Sequence, residues 1–433
     1  MGQSPGFINW ARTHRSNPEG YFQPTSEGEV VELVKQAGSS AKKVRLVGAG
    51  HSWSSIVCTD AWLVNLDRLN AVINIDREAK QVTVQAGMRL SELNELLSLH
   101  KLALQNLGSI SEQSVAGVIS TATHGSSVHY GILATQLLSF TLVDGRGEVH
   151  KVDPSQVSLW SARVSLGCLG IVTEVTLQCK DAFDLKEHAY PVPLIEIDKN
   201  MLELASANEY FKIWWFPHVD VAQVYTYNET AEGRVNHNGF VRWLDDNFLA
   251  KYVFTLILGI GKIWPTLIPF FNRFIRILKF NEEVRIDRSD KVLNLPMPPI
   301  HNEMEWSIDA KDAPLAFKQL RSMIAARNLK INFILEIRFV KGDDCMLSPC
   351  HSRDSAFIGG YHAGEKGWDE YVEGFEEIMR QLDGRPHWGK HFTFNENEIR
   401  SLYPDLEVFN EIRSKLDPDQ LFVNEFIQKT ILD

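Results

Sequence analysis

An α+β protein in two domains is the architecture expected from three features of the chain. Strand-like and helix-like stretches alternate along its first 180 residues. Windows rich in Gly, Ala, Ser and Thr interrupt them, as in Asn106 to Tyr130. Beyond about Cys179 those windows stop and aromatics become denser, as in Trp214-Trp215-Phe216-Pro217-His218. With 433 residues and 44% hydrophobic content, the chain can bury a sizeable core and divide once. The expected division is 1–180 and 181–384, followed by a closing segment, 385–433.

In chain order, Ser26 and Glu29 have capping-box spacing, and Val30, Val31, Leu33 and Val34 follow at helical intervals, so a helix starts there. The apolar run Val44, Leu46, Val47 predicts a strand that stops at Gly48-Ala49-Gly50, where the backbone must turn sharply. A loop so poor in side chains exposes successive backbone N–H groups and suits a pyrophosphate. His51 and Ser52 come next; a lone His after a turn is by itself most often an ordinary loop residue. Short strands are expected at 62–66, 72–75 and 82–86, the last ending at Gly87. Ser91 should open a helix whose Leu93, Leu96 and Leu97 share a face.

Residues 137–152 read as two strands joined at Asp144-Gly145, a signal for a type I′ hairpin. Gly167 and Gly170 let the chain pass close to another surface before Ile171 re-enters a strand. Further on, Pro314 opens a helix through Arg327, and 331–340 is the clearest strand of that half. Period-2 alternation puts Phe333, Leu335, Ile337 and Phe339 on one face, and Asn332, Ile334, Glu336 and Arg338 on the other. On an arbitrary strand Glu336 and Arg338 would be an exposed ion pair. The turn His387-Trp388-Gly389-Lys390 is equally unremarkable on its own.

A net charge of −11, with no domain-sized basic run, argues against nucleic acid as a partner. Five cysteines without a CxxC pair fit a reduced, metal-free protein. The N-terminal residues lack an apolar signal core, and Gly6 argues against myristoylation, so a soluble cytoplasmic location is expected. The most hydrophobic stretch, 248–280, is broken by Lys251, Lys262, Pro265 and Pro269 into runs of about ten residues, short of the roughly 20 that span a bilayer. Two readings stay open for it. One is a buried helical pair; the other lays Trp264, Phe270, Phe271 and Phe274 on an intracellular membrane surface, beside Lys262, Arg273, Arg276 and Lys279.

The windows VRLVGAGHSWSSIVCTD (44–60) and NLGSISEQSVAGVISTATHGSSVHY (106–130) together resemble the PCMH-type FAD-binding domain of the vanillyl-alcohol oxidase superfamily, in its sugar-lactone oxidase branch. Tracts such as 21–26, 131–136 and 347–350 follow that branch in order along nearly the whole chain. The resemblance implies an FAD domain, an α/β cap domain with an antiparallel sheet, and a C-terminal segment returning to the FAD domain. It implies FAD joined covalently to His51, with further contacts at Leu46, Val47, Gly48, Ala49, Gly50, Ser52, Gly108, Gln113, Ala116, Ser120, Thr121, Ala122 and Thr123. Ile171 would run beside the adenine end and His387 near the flavin ring, while His124 is read as structural.

For catalysis the same resemblance implies that Glu336 and Arg338 hold substrate hydroxyls, that Ser109 contacts substrate, and that Lys390 reaches it. Two cations beside the reacting hydroxyl would favour its alkoxide-like form. The implied reaction passes hydride from C2 of L-gulono-1,4-lactone or a related aldono-1,4-lactone to flavin N5, and the product tautomerises to L-ascorbate or an analogue. Oxygen would reoxidise the flavin to give hydrogen peroxide, and Gly108, without bulk beside N5, favours oxygen. Competing readings are an alditol or xylitol oxidase of the same fold, a lactone dehydrogenase with a cytochrome acceptor, and a catalytically silent carbohydrate-binding relative. An NAD-binding Rossmann domain is disfavoured because His51-Ser52, not a GxGxxG helix start, follows the glycines. The oligomeric state is left open.

Overall fold

In the computed structural model, which describes residues 6–235 and 252–432, the first part of the chain forms two main sheets, beside two short two-stranded pairs. Strands Gly20–Phe22, Trp62–Asn65 and Val44–Val47 run parallel in that spatial order. Parallel neighbours need a crossover, and the Glu27–Ser39 helix supplies one. Ser26 caps that helix by accepting the Glu29 N–H at 3.2 Å. The Glu29 carboxylate, however, accepts from the backbone and hydroxyl of Thr25, so the expected box closes one residue early. Val30, Leu33, Val34 and Ala37 pack on Val44, Val64, Leu421 and Phe422.

The second sheet is antiparallel, in the order Val149–Val152, Leu137–Val143, Ile171–Gln178, Gln81–Gln85, Val72–Asp76. The expected two-residue hairpin at Asp144-Gly145 is instead a loop through Glu148: the buried Asp144 carboxylate accepts from the Arg146 and Glu148 N–H groups, each at 2.9 Å, and the left-handed residue is Gly147, φ +77°. Gly145 serves the tail. Its N–H donates to Leu416 O, and a Cβ there would meet Asp417 Oδ1 at 2.6 Å. Gly170 does make the expected close approach, at φ +150° with Val143 O only 2.4 Å from where a Cβ would sit.

The third sheet has eight antiparallel strands, ordered Glu283–Arg288, Asp184–Pro193, Val221–Thr230, Tyr210–Trp215, Leu335–Val340, Ser355–His362, Asn302–Asp309, Arg385–Pro386. Helices Leu194–Ser206, Ala313–Ala326 and Trp368–Gln381 share its core through Met201, Phe317, Leu320, Phe375 and Met379. The strand expected from residue 331 begins at Leu335, because the Asn332 side chain takes over the pairing: it donates to Ala363 O and accepts the Ala363 N–H, each at 2.9 Å. All six residues of that strand are buried, which overturns a wet-face ion pair for Glu336 and Arg338.

Helices Phe254–Ile263 and Ile268–Lys279 lie on the rim of this sheet, with Leu258 and Ile275 against Phe216, Phe333 and Ile334. Residues 248–251 of the hydrophobic stretch lie outside the described residues. Among the described residues no helix is long and apolar enough to cross a membrane. All five cysteines are unpaired.

The tail comes back over the first domain. Asn424 donates to the carbonyls of Ser55, Ile56 and Cys58, and Phe422 O accepts from Arg45 at 2.7 Å. Arg45, 2% exposed on the strand before the glycine turn, also donates to the carbonyls of Gly167, Ile56 and Leu166. Burial lowers its pKa to about 10, so it stays charged and ties four backbone segments together. Arg45→Met should therefore lower the unfolding free energy by roughly 3–5 kcal/mol through orphaned carbonyls. Urea denaturation followed by tryptophan fluorescence should show the midpoint falling with an unchanged slope.

Candidate active site

The Val44–Val47 strand delivers its glycine turn into an open cleft. Leu46, Val47, Gly48, Ala49, Gly50, His51 and Ser52 line it, together with Gln113, Ala116, Ser120 and Thr121, and it continues past Gly167, Gly170 and Val172. Glycine is required at 48 by space, since a Cβ would lie 2.3 Å from Ser114 Oγ, and at 50 by φ +69°. Backbone amides can thus approach a ligand without intervening side chains, as a pyrophosphate needs.

The remaining expected cofactor residues lie off this cleft. Ile171 is wholly buried in the core while its neighbours Gly170 and Val172 face the cleft. Ala122 is buried at φ +57°. Gly108 packs against Thr123, whose Cγ2 would be 3.0 Å from a Cβ at 108. Ser109 and His387 belong to the cluster described next.

His51 stands beside the Trp10 ring, centroids 5.7 Å apart. Its Nδ1 is buried and makes no hydrogen bond among the described residues. Burial, then Lys390 and Arg89, hold its pKa down to about 4, so the ring is neutral near neutral pH. An imidazole in that condition can form a covalent bond to an electrophilic carbon.

The sheet presents its polar face to this region. Register aligns Trp214, Glu336, Gly359 and Glu305 in one row, and Lys212, Arg338, Phe357 and Ser307 in the next. Opposed residues in an antiparallel sheet share a face, so the charges converge. The Arg338 guanidinium reaches Glu305 Oε1 at 2.5 Å and Glu336 Oε2 at 3.3 Å, and donates to Ser109 Oγ at 3.4 Å. Glu336 in turn accepts from Trp214 Nε1 at 2.6 Å and from the Tyr361 hydroxyl at 2.9 Å. Between Glu336 and Glu305, Gly359 contributes no side chain, and the Tyr361 ring takes that space.

Lys390 enters from the 387–390 turn. It pairs with Glu303 Oε1 at 2.5 Å and lies 4.1 Å over the Trp53 ring. Trp53 N donates to Gly389 O and Ser54 Oγ to Trp388 O, each at 2.7 Å, so the turn is bonded to the loop that carries His51. His124 stacks on Phe357 at 3.6 Å and sits 3.5 Å from Glu305; His387 accepts the Gly389 N–H on Nδ1 at 3.0 Å. Burial lowers the pKa of both rings, His387 to about 3, so both are neutral. The ligand atoms of His124, Glu305 and His387 lie within 4.8 Å of one another, but the Arg338 guanidinium already holds that carboxylate.

Glu336 was expected to orient Arg338, and it lies beside it; the unforeseen partners are two further buried carboxylates, Glu305 for Arg338 and Glu303 for Lys390. Burial opposes ionisation of Glu303 and Glu305, yet Lys390 holds the first below the usual carboxylate range and Arg338 the second well below it. These acids belong to no motif in the sequence. Their one signal is alternation: Glu303, Glu305 and Ser307 interleave with Met304, Trp306 and Ile308. Lys212, buried between the rings of Trp214 and Tyr225, is a third unforeseen member.

The architecture is the two-domain PCMH-type FAD-binding fold. Cholesterol oxidase from B. sterolicum superposes with a TM-score of 0.83 at 17% identity, covering 98% of this chain and 96% of that one. An FAD binding domain model matches residues 18–153, and the D-arabinono-1,4-lactone oxidase model matches 175–430. L-gulonolactone oxidase of Mus musculus is 36% identical, covering 98% of this chain and 97% of its own. L-gulono-1,4-lactone dehydrogenase of Mycobacterium tuberculosis is 32% identical over 99% of both chains. D-arabinono-1,4-lactone oxidase of Saccharomyces cerevisiae is 29% identical over 96% and 94%. The chain belongs to the D-arabinono-1,4-lactone oxidase family of FAD-dependent oxidoreductases.

Lys390→Met should leave Glu303 buried without its cation and cost roughly 3–5 kcal/mol of stability near neutral pH. Burial would then raise the Glu303 pKa above its unfolded value of 4.5, so the folded state would gain by taking up a proton and the loss would grow as pH rises. The melting temperature of the variant, relative to the parent, should be lower at pH 8 than at pH 5.

Proposed function

We propose that the chain oxidises an aldono-1,4-lactone at C2, with L-gulono-1,4-lactone as its preferred substrate and oxygen as electron acceptor, producing hydrogen peroxide and L-ascorbate or its analogue. The observation that carries this reading is the convergence of Glu336, Arg338, Ser109 and Lys390 beside His51 and the glycine-lined cleft. The division of labour follows the sequence expectation: 1–180 and 385–433 hold FAD, and 181–384 cover its reactive end. The full-length likeness to relatives named for gulonolactone and arabinonolactone supports this substrate class.

FAD, when bound, supplies the hydride acceptor. The protein's own residues bind, orient and hold charge. Arg338, kept in place by Glu305 and Glu336, offers its remaining N–H groups to substrate oxygens beside Ser109. Lys390, kept by Glu303, offers a second charged donor. Because both cations are paired beforehand, their charge is fixed in position before substrate arrives and costs no reorganisation when negative charge develops on the C2 oxygen. Near neutral pH His124 and His387 wall the pocket as uncharged rings. A cytochrome acceptor is the alternative raised by the dehydrogenase relative.

His51 is proposed to hold FAD covalently through its unengaged Nδ1. In His51→Ala the yellow colour should leave the protein on acid precipitation, whereas the parent pellet stays coloured; colour retained by the variant would place the link elsewhere or rule it out. Purified protein should consume oxygen fastest with gulonolactone among gulono-, galactono- and arabinono-lactones and xylitol. Arg338→Ala should lower lactone-driven flavin reduction at least about a hundredfold, the loss of a charged donor at a buried site, with little change in the bound flavin spectrum. Dye reduction with poor oxygen use would favour the cytochrome acceptor.

A further inference from the structure

Three carboxylates, Glu303, Glu305 and Glu336, are at most 3% exposed on the polar face of the eight-stranded sheet, and a buried charge persists there only if another compensates it. Lys390 meets Glu303 and Arg338 meets Glu305, each at 2.5 Å, so two acids take up the two cations that face the pocket. Glu336 is left with a share of Arg338, at 3.3 Å, and with two neutral donors, Trp214 Nε1 and the Tyr361 hydroxyl. A balancing charge lies one strand away. Lys212 opposes Arg338 in register, stands diagonal to Glu336, and is 6% exposed.

The Lys212 ammonium sits in an aromatic box, 4.5 Å from the Trp214 ring, 4.9 Å from Tyr225 and 5.7 Å from Tyr227. Such rings stabilise a cation by their negative faces while adding no anion to cancel its field. Burial lowers the Lys212 pKa, against which Glu336 and then Glu187 favour the charged form. Burial raises the pKa of both tyrosines, so they remain neutral phenols. Glu187 faces Arg285 in register on the edge strand, which leaves the field of Lys212 to Glu336. A cation over the indole also makes Nε1–H a stronger donor, and that group bonds Glu336 at 2.6 Å.

We propose that Lys212 is a positioning residue for the lactone oxidation proposed above, on which this role rests: its charge keeps Glu336 an anion, aligned by Trp214 to accept a substrate hydroxyl. The charged and titratable groups around Glu336 are Arg338 on its own strand, Lys212, Tyr225, Tyr227, Glu187 and Arg285 to one side, and Tyr361, Glu305 and Glu303 to the other, with Lys390, His124 and His387 beyond them. In the holoprotein, Lys212→Met should lower kcat/KM for gulonolactone at least about tenfold, chiefly through KM, with the bound flavin spectrum unchanged, and Lys212→Arg should restore most of it. The melting temperature of Lys212→Met should fall below the parent's, and by more at pH 8 than at pH 5, because a protonated Glu336 needs no counter-charge. Adding Glu336→Gln should recover at least about half of that loss, whereas a packing role alone would leave the double variant no better than the single one. Should Lys212→Met not fold, recovery of folded holoprotein by the second change is the supporting result and its failure the opposing one. A double variant no more stable than Lys212→Met would overturn the proposal, as would equal melting deficits at both pH values or a parental KM in Lys212→Met. If the parent reduces no flavin with any lactone, the lactone reading falls, and the melting data still decide whether Lys212 holds the charge of Glu336.

Discussion

The pairing of Arg338 with Glu305 and Glu336 is the interaction on which the rest of the active region depends. A guanidinium this deeply buried persists only where carboxylates compensate its lost hydration, and here two do, from strands on either side of Ser355–His362. That requirement fixes the register of three strands at once, because a slip of one residue would turn an acid or the arginine toward the helices. Gly359, between the two acids, makes room for the ring of Tyr361, which lies 3.0 Å from where a Cβ at 359 would sit and whose hydroxyl bonds Glu336. The same logic recurs with Lys390 and Glu303, which joins the 387–390 turn to the edge of that sheet.

The two halves of the molecule are held by different chemistry. On the cofactor side the work is done by backbone: a glycine turn open to a ligand, backed by Arg45 and Asn424, whose side chains satisfy carbonyls from segments far apart in sequence. On the sheet side it is done by charged and aromatic side chains in register. Trp53 connects them, since its backbone N–H bonds Gly389, its indole N–H bonds His301 O, and its ring lies under Lys390. His51 therefore sits between a rigid loop and a fixed cation, and burial beside that cation keeps its ring neutral.

The helix pair at the rim illustrates how one segment can serve both a core and a surface. Leu258 and Ile275 bury the inner faces, and Phe254 packs on Phe333, whose ring stacks with Tyr361 beside Glu336. The sequence reading left open whether this stretch is buried or interfacial. Among the described residues the two helices are buried on one side and carry exposed apolar side chains on the other.

What could be read without coordinates was local. The strand before Gly48, the helix after Ser26, the Val82 strand and the alternation of Glu336 and Arg338 all rest on short-range rules of period, capping and glycine freedom, and each survives with boundaries shifted by a few residues. The shifts have tertiary causes: Asn332 replaces backbone pairing to Ala363, and Gly145 is reserved for the tail at Asp417. The lactone oxidase family was likewise legible, because ordered motifs over the whole chain carry it. The partners of the two cations were not legible. Glu303 and Glu305 lie more than thirty residues from Arg338 and more than eighty from Lys390, and no local period links residues on different strands. Only sheet order and register bring them within 2.5 Å, and only burial makes that proximity energetically decisive.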